Sequence, residues 1–557
     1  MSRIYRNDSI TTLEYTEETK RSLYSMFTYS VSHAGESANA VQYFGNHISY
    51  GELKRLIDEC AAGLIRIGVK KGDYVTIFLP NIPQCVIAVY AVNRIGAICN
   101  LVHPLSTKNE IEYAVGLTNS RFILTFELNE GICSRLKARI IRCRTPEYFP
   151  KNPKGFMMKT VYNHSVRKSK RADYTIEWSE VMKRGRGYLK NNNLPEDTVK
   201  ADDIAAIMYT GGTTGPSKGA MMSNSAVNYV TIQLLMPKIN GTPHIGDAFL
   251  SVLPVFHAFG LAVVIHAPLS SGMRAILSPR FNVKECSGLI LKEKIAVIAG
   301  VPAMYERMYP LLKGKDLSFV RYIVSGGDKV SSDLVERYNK ILDGHTQFLP
   351  GYGLTEACGA CMLTEEGYKE FEEGCVGVPL EGTQVCIVSP GTTEVLNETE
   401  EGELCIIGPS LMRGYFKDEK ASADVLRKHD DGKIWLHTGD IVRFGKGRNI
   451  IFRSRYKRLV KVNGFNVYPT LIENTIEKCP LVKEVCAVGV PWKTDTRIKL
   501  YVTLNEDSDR TAKSEKIMEF AKSNLNHWSC PFEVEVLNEM PLTKMNKTDY
   551  RVLEKRG

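Results

Sequence analysis

The feature that most constrains this chain is an eleven-residue turn, Tyr209–Gly219, with the sequence Tyr-Thr-Gly-Gly-Thr-Thr-Gly-Pro-Ser-Lys-Gly. It follows a short apolar run, Ile204–Met208, whose length and composition predict a buried strand. Glycines let backbone N–H groups approach an anion closely, and consecutive N–H groups form a concave anion seat. Threonine hydroxyls and the ammonium of Lys218 add further donors. The segment therefore predicts a strand that ends in a polyphosphate-binding loop, and ATP is the polyphosphate that fits best.

This loop differs from the Walker A loop of ordinary P-loop NTPases. The Walker A loop needs Gly-Lys-Ser/Thr, in which the hydroxyl reaches magnesium. Here Ser217 precedes Lys218 and Gly219 follows it. The alternative interpretation is a surface loop rich in glycine and threonine, which is the usual meaning of such a composition. The order of the eleven residues favours the phosphate loop.

The length of 557 residues predicts two or more domains. The chain has no run of 18 apolar residues, so the sequence predicts no transmembrane helix. The first residues lack the apolar stretch of a signal peptide. The 14 cysteines are scattered, many of them in apolar runs, which predicts buried reduced thiols. We therefore expect a cytoplasmic protein.

Basic residues are concentrated between Arg135 and Arg171. This segment contains twelve Lys and Arg residues and one acid, Glu147, for a formal charge of +11, whereas the whole chain carries +10. The high charge of this segment favours its interpretation as a solvated insertion on the surface. The alternative is a peripheral contact with anionic lipid headgroups or with the phosphates of a cofactor. No nucleic-acid-binding motif accompanies the charge, so we expect no nucleic acid partner.

Strand-like and helical patterns alternate over roughly the first 400 residues. The strand-like runs include Tyr74–Pro80, Ile98–Val102, Arg121–Thr125, Phe249–Leu253, Ala275–Leu277, Ile295–Ala299 and Arg321–Ser325. A capping pattern, Thr107-x-x-Glu110, marks one helix start. The alternation predicts an α/β fold with parallel strands in layers. From about Glu401 short strand-like runs predict a closing β element, and the last 100 or so residues predict a small α+β domain.

The turn at Tyr209–Gly219 closely resembles the phosphate loop of the adenylate-forming superfamily, which includes acyl-CoA synthetases, adenylation domains of peptide synthetases and beetle luciferases. Five further segments match the superfamily in the right order, over nearly the whole chain. The family usually has serine where Gly212 stands. The resemblance implies that ATP is bound by Thr210, Gly211, Gly212, Thr213, Thr214, Gly215 and Lys218.

The segment Gly351-Tyr-Gly-Leu-Thr-Glu356 is the second strong match. The resemblance implies that Tyr352 lies against the adenine, that Thr355 touches the α-phosphate, and that Glu356 holds Mg²⁺, an ion that prefers hard oxygen ligands. It also implies Thr210 as a magnesium ligand. Upstream, the backbone at Gly326 and Gly327 is expected to flank the nucleotide.

Two residues are expected at the ribose. Asp440, in Thr438-Gly-Asp440, resembles the aspartate that takes both hydroxyls in the family, and a carboxylate offers the two acceptor oxygens that a vicinal diol needs. Arg455 resembles the arginine that joins it. Arg458 stands at the family's hinge position, which implies two domains, 1–457 for AMP binding and 458–557 as a small mobile C-terminal lid.

The resemblance places two functional residues in the lid. Gly464 matches a glycine beside the pantetheine path of CoA. Pro541-Leu-Thr-Lys-Met-Asn-Lys547 resembles the loop that carries the family's catalytic lysine, with Asn546 in place of glycine. The order of the motif assigns the catalytic role to Lys547, and Lys544 is the competitor.

His257, in Leu253-Pro-Val-Phe-His-Ala-Phe-Gly260, resembles the histidine beside the acyl carboxylate and the thioester-forming channel. No aspartate stands nearby to pair a substrate ammonium, so a plain carboxylic acid fits better than an amino acid. The expected acyl pocket is apolar, with two glycines that leave room, which favours a medium- or long-chain fatty acid. Its residues are Val255, Phe256, Phe259, Gly260, Gly300, Val301 and Met304.

The resemblance implies an ATP-dependent acid–CoA ligase that forms an acyl-adenylate and then an acyl-CoA thioester. The alternatives are a ligase for an aromatic or short-chain acid, an enzyme that loads a carrier protein, a luciferase-like oxygenase, and a nucleotide-binding protein without turnover. The implied partners are the carboxylic acid and CoA, and an oligomer is left open.

Overall fold

A computed structural model gives the fold. It describes residues 5–6, 19–167, 169, 172, 175–210, 217–235, 244–368, 371–458, 460–462, 465–492, 495–506, 509–542 and 548–557.

The chain forms two compact units. The larger unit comprises Ile4–Val385 and Ile406–Leu436, and the smaller one contains Cys386–Cys405 and His437–Gly557. The predicted division at 457/458 stays a prediction.

The secondary structure follows the chain in three stretches. Up to residue 200 the strands β1–β8 are Tyr5–Arg6, Asn39–Tyr43, Asn46–Ser49, Tyr74–Phe78, Ile98–Leu101, Phe122–Phe126, Arg139–Cys143 and Thr175–Glu177, and the helices α1–α7 are Leu23–Ala34, Tyr50–Arg66, Pro83–Ile95, Lys108–Thr118, Glu130–Cys133, Pro153–Ser165 and Trp178–Leu189. Between residues 201 and 380 the strands β9–β17 are Ile204–Tyr209, Gly219–Ser223, Ala248–Ser251, Arg274–Leu277, Ile295–Gly300, Tyr322–Ser325, Phe348–Tyr352, Met362–Leu363 and Cys375–Pro379, and the helices α8–α12 are Asn224–Leu235, Ala267–Ser270, Val283–Lys292, Pro302–Leu312 and Ser332–Leu342. In the remainder the strands β18–β27 are Gln384–Val388, Gly402–Ile407, Leu426–Lys428, Ile434–Phe444, Ile450–Arg455, Val460–Val462, Phe465–Val467, Val482–Trp492, Asp495–Leu504 and Glu533–Val536, and the helices α13–α16 are Glu419–Val425, Pro469–Ile476, Arg510–Asn524 and Tyr550–Arg556.

Local sequence explains where several helices begin and end. Helix α4 starts with the predicted capping box, because Glu110 accepts a hydrogen bond of 2.7 Å from the backbone N–H of Thr107. Helix α3 begins at Pro83, whose missing N–H costs nothing in a first turn. It stops at Gly96, which takes a left-handed conformation.

The larger unit contains two layered sheets. One has the strand order β10-β9-β5-β4-β6-β7-β8, in which all pairs except β10–β9 are parallel. In the other, β12, β11, β13, β14 and β15 are consecutive parallel neighbours. Side chains on α1, α2 and α3 pack with these strands in one apolar core. The predicted α/β layers with parallel strands are confirmed.

The basic segment is only in part a surface insertion. Its first portion, Arg139–Cys143, is strand β7 and pairs in parallel with β6. Arg142 is buried there, and its guanidinium contacts the carboxylate of Glu130 at 2.6 Å. The prediction of a solvated insertion is therefore wrong for β7, because a buried counter-charge lets a basic residue enter the sheet. It holds for α6, which lies on the surface.

No disulfide joins any of the described cysteines, and all except Cys530 are buried, as expected of structural thiols. Among the described residues, no helix combines the length and apolar character that crossing a bilayer requires.

The smaller unit contains a three-stranded sheet, β25-β26-β27, with β25–β26 antiparallel and β26–β27 parallel. Helices α14 and α15 cover one apolar cluster, and α16 contributes Leu553 to a second. This is the small α+β arrangement that the sequence predicted.

A buried ion pair fastens the start of this α+β region. Arg458 donates to Glu473 on α14 at 2.6 Å and to the backbone carbonyl of Ala487 on β25 at 3.1 Å. Its guanidinium also lies 4.8 Å from the centre of the Tyr550 ring. Burial opposes the charge of Arg458, but the Glu473 carboxylate holds its pKa above the usual range. The residue at the expected hinge is therefore bound firmly to α14 and β25.

We expect Glu473→Gln to destabilise this region by about 1–3 kcal/mol, because it leaves a half-buried guanidinium without its counter-charge. Hydrogen exchange followed by mass spectrometry should show faster exchange in peptides from α14 and β25. The matched control is Glu477→Gln, which changes an exposed glutamate just after the same helix. Unchanged exchange in the Glu473 variant would contradict the prediction.

Candidate active site

Four neighbouring parallel strands place candidate residues at one edge of the larger sheet. Strands β11, β13, β14 and β15 run in the same direction, so their carboxyl ends meet at that edge. The segments that follow them carry His257, Val301, Gly326–Gly327 and Tyr352–Glu356, respectively. In open α/β sheets, ligands bind at the carboxyl ends of the strands. The fold therefore brings together candidates that are about 100 residues apart in the chain.

Glycines allow the backbones of these segments to touch. A Cβ at Gly359, where φ is +93°, would lie 2.4 Å from the backbone nitrogen of Phe259. A Cβ at Gly326 would lie 3.4 Å from the carbonyl oxygen of Gly351. The segment after β11 thus packs directly on the loop after β15, and the loop after β14 lies beside the end of β15.

The base of the phosphate loop is held by a short antiparallel pair. Tyr209 in β9 pairs with Gly219 in β10, and the backbone N–H of Thr210 donates to the carbonyl of Lys218 at 3.0 Å. The predicted strand before the turn is therefore present as β9. Gly211, Gly212, Thr213, Thr214 and Gly215 lie outside the described residues.

Tyr415 links this loop to the second motif. Its hydroxyl donates to Glu356 Oε1 at 2.6 Å, and the centre of its ring lies 5.0 Å from Lys218 Nζ. The backbone N–H of the next residue, Phe416, donates to the carbonyl of Gly219 at 2.7 Å. Burial and the negative carboxylate raise the pKa of Tyr415, so its hydroxyl remains a donor. One side chain therefore contacts both Lys218 and Glu356.

The sequence analysis did not find Tyr415. It lies 59 residues after Glu356 and nearly 200 after Lys218, inside an ordinary Gly-Tyr-Phe sequence. The bridge between residues 220 and 415 and the hydrogen bond from Phe416 to Gly219 bring it to the loop.

The loop after β15 is a compact turn. Tyr352 is the last residue of β15, and its carbonyl accepts the N–H of Cys361 at 3.0 Å. Thr355 begins a 3₁₀ turn that ends at Cys358 in a left-handed conformation. The backbone carbonyl of Glu356 accepts the N–H of Met412 at 2.8 Å. The turn therefore places Tyr352, Thr355 and Glu356 on one short segment that backbone hydrogen bonds hold in place.

His257 lies half-buried just after β11, at the start of a π-helical segment, Phe259–His266. Its ring centre is 4.8 Å from that of Phe256, which in turn lies 4.2 Å from His103. Burial lowers the pKa of His103, so this second imidazole is kept neutral. The sequence analysis did not single out His103, which has no motif around it.

The two glycines expected to leave room for an acyl chain do not do so. A Cβ at Gly260 would lie 1.8 Å from the carbonyl oxygen of Pro254, and one at Gly300 would lie 3.0 Å from the ring of Tyr305. The space above each glycine is therefore filled by the protein itself. The expectation is wrong because a glycine in a sequence does not reveal which neighbour approaches it. Val255, Phe256 and Met304 are buried in the core beside them.

Asp440 and Arg455 lie together in the smaller unit. They are direct partners in the antiparallel pair β21–β22, and Arg455 Nε is 2.9 Å from Asp440 Oδ1. The aspartate side chain is fully buried, whereas that of the arginine is 56% exposed. The backbone N–H of Asp440 donates to Thr438 Oγ1 at 3.1 Å. The strand register thus brings the two expected ribose residues together as an ion pair, and their role at a ribose stays a prediction. Gly464 and Lys547 lie outside the described residues.

The chain matches two known protein-family models. The family model described as AMP-binding enzyme matches residues 28–416, and the AMP-binding enzyme C-terminal domain matches residues 471–547. The chain belongs to the AMP-binding enzyme family. The predicted resemblance to adenylate-forming enzymes is confirmed.

Similar proteins agree with this family. A long-chain-fatty-acid–CoA ligase of Bacillus subtilis is 28% identical over 537 residues, which cover 95% of this chain and 93% of that protein. A feruloyl-CoA synthase of Amycolatopsis is 26% identical over 92% of this chain and 94% of its own length. The crystal structure of ATP-bound MatB from Rhodopseudomonas palustris superposes with a TM-score of 0.77 at 22% identity, covering 96% of this chain and 99% of that one.

These comparisons confirm the predicted fold class and the predicted enzyme class, an AMP-forming acyl-CoA synthetase that uses ATP and CoA.

Replacing Tyr415 by phenylalanine removes only the hydroxyl that Glu356 accepts. A hydrogen bond to a charged group contributes about 1.5–3 kcal/mol, so we expect ATP–pyrophosphate exchange to slow roughly 10- to 100-fold. The matched control is Tyr338→Phe, which removes another buried hydroxyl, one that donates to the carbonyl of Tyr305 at 2.8 Å on α11. Equal effects of the two substitutions would show that Tyr415 has no special part in the site.

Proposed function

We propose that this AMP-forming acid–CoA ligase activates a medium- or long-chain fatty acid, and that ATP binds at the carboxyl edge of β11, β13, β14 and β15. The contact of Tyr415 with both Lys218 and Glu356 is the observation that supports this location of the ATP site. It joins a phosphate-loop cation and a carboxylate at the place where parallel strands end.

The nucleotide contacts follow from this location. Lys218 and the loop from Thr210 to Gly215 bind the phosphates, because the loop offers closely spaced N–H groups and a mobile cation. The ring of Tyr352 lies against the adenine, and the backbone at Gly326 and Gly327 flanks it. Thr355 donates to the α-phosphate.

Asp440 and Arg455 bind the ribose in this proposal. A buried carboxylate offers two acceptor oxygens for the two ribose hydroxyls. The exposed guanidinium of Arg455 lies 2.9 Å from Asp440 Oδ1 and places a positive charge against that carboxylate. Together they recognise a ribonucleotide by its diol.

The residues present fit a magnesium ion. Glu356 supplies a carboxylate and Thr210 a hydroxyl, which are the hard oxygen ligands that Mg²⁺ prefers. When bound there, the ion would neutralise negative charge on the phosphates and on the departing pyrophosphate.

The reaction needs two displacements. A carboxylate oxygen of the acid attacks the α-phosphorus of ATP, and pyrophosphate leaves; the CoA thiolate then attacks the acyl carbon, and AMP leaves. Lys547 neutralises the charge that develops on the carboxylate and the α-phosphate during the first step. His257 lies beside the reacting carbonyl, and Gly464 gives the pantetheine arm access in the second step. Positioning and charge stabilisation supply most of the rate.

The preference for a fatty acid draws on two observations. The segment around His257 is apolar, with Val255 and Phe256 before it and the apolar π-helical run that begins at Phe259 after it. A relative from B. subtilis, matched over nearly its full length, is a long-chain-fatty-acid–CoA ligase. An aromatic acid is the second candidate, because a feruloyl-CoA synthase is nearly as similar.

A panel of acids tests the proposal through AMP release with and without CoA. We expect release with octanoate or palmitate to rise sharply when CoA is added, and little release with acetate or ferulate. Ferulate as the best substrate would overturn the fatty-acid assignment. Transfer to a holo carrier protein without CoA would overturn the choice of acceptor, and no AMP release with any acid would overturn the proposed function itself.

Lys547→Ala separates the two steps. Loss of one preorganised charge donor should slow ATP–pyrophosphate exchange about 10²–10³-fold, while thioester formation from supplied acyl-adenylate and CoA should continue. Lys544→Ala is the matched control in the same loop and should leave both steps near the unaltered rate. A larger loss in the Lys544 variant would reverse the assignment of the catalytic lysine.

A further inference from the structure

Helix α6, Pro153–Ser165, presents an apolar stripe to solvent. The side chains of Phe156, Met157 and Val161 are 74%, 61% and 66% exposed. Soluble proteins expose single large apolar side chains routinely, but three on one short helix mark an interaction surface. The one fully buried residue of the helix, Gly155, lies on the opposite side.

The opposite face of α6 fixes this orientation. Met158 and Tyr162 pack against the apolar core, and the Tyr162 hydroxyl donates to Thr145 Oγ1 at 2.9 Å. A Cβ at Gly155 would lie 1.8 Å from the carbonyl oxygen of Pro150, so the first turn sits directly on the preceding backbone. Rotation of the helix about its axis would break these contacts. The apolar stripe therefore stays exposed unless another surface covers it.

Lysines border the stripe on both sides. At 100° per residue, Phe156, Met157 and Val161 span one side of the helix, with Lys159 next to Phe156 and Lys154 next to Val161. Lys151 and Arg167, just outside the two ends, are also exposed. From Lys151 to Arg171 the sequence has seven basic residues and no acid. The charged side chains that flank Phe156, Met157 and Val161 on α6 are therefore all basic, and the exposed Thr160 and His164 lie between the three apolar residues on the same side of the helix.

We propose that α6 docks this protein on an anionic lipid bilayer. A surface helix lies in the membrane interface when its apolar side chains enter the acyl boundary and its basic residues meet the headgroups. Phe156, Met157 and Val161 provide the first part, and Lys154 and Lys159 can reach the phosphates while their stems cover apolar surface. Charge complementarity selects a bilayer rich in acidic lipid, since each lysine near such a surface increases binding about fivefold. The proposal does not depend on the catalytic assignments.

Co-sedimentation of the full chain with vesicles tests the docking. Vesicles of phosphatidylcholine containing phosphatidylglycerol should bind the protein, and vesicles of phosphatidylcholine alone should bind it far more weakly. Added salt should weaken binding because it screens the lysines. Absence of binding to the acidic vesicles, or equal binding to both kinds, would overturn the proposal.

Two sets of variants assign the binding to α6. Lys154→Glu with Lys159→Glu should reduce binding at least about 25-fold, at fivefold for each lysine lost. Phe156→Ser with Met157→Ser should reduce it by a similar factor and leave the salt dependence in place. The matched controls are Lys313→Glu with Lys315→Glu, and Ile245→Ser, at exposed positions elsewhere on the larger unit.

Adenylation in vesicle-free solution should be unchanged in every one of these variants, which shows that they fold. Control variants that lose as much vesicle binding as the α6 variants would overturn the assignment of the surface. Capture of a second protein by α6, without vesicle binding, would also contradict it.

Discussion

The parallel pairing of β11, β13, β14 and β15 is the constraint on which the site depends. Because the strands share one direction, the segments after them begin at the same edge of the sheet. The close approach at Gly359 then brings the segments after β11 and β15 together at backbone distance. A side chain larger than hydrogen at Gly359 would separate these two segments.

Tyr415 completes this arrangement by a single hydrogen bond. Its hydroxyl holds the Glu356 carboxylate while its ring faces the Lys218 ammonium. A lysine and a glutamate that paired directly would compete with an incoming triphosphate and its cation. Tyr415 places the two charges near one another through a neutral group, and in the proposed function the ammonium then meets phosphate and the carboxylate meets a metal ion.

Much of the secondary structure could be predicted, because the periodicity of apolar residues and the capping of helices are properties of short segments of sequence. The strand-like runs at Tyr74–Pro80 and Arg321–Ser325 correspond to β4 and β14, and the capping box at Thr107 begins α4 as expected. Two errors have one cause. The burial of Arg142 depends on Glu130, and the crowding at Gly260 depends on the Pro254 carbonyl. The position of either partner in space cannot be read from the neighbouring sequence.

The sequence by itself determined the order of the elements and the chemical types in the motifs: a glycine- and threonine-rich turn with one lysine, an aromatic–threonine–glutamate turn, and an aspartate followed by an arginine. These are properties of short segments, so local composition carries them. Only the tertiary structure decided that Tyr415 stands between Lys218 and Glu356, that Arg455 pairs with Asp440 across β21 and β22, and that Phe156, Met157 and Val161 face outward on α6. Strand register, sheet order and the choice of which helix face is covered arise from contacts between residues that are remote in the chain, and no local pattern contains them.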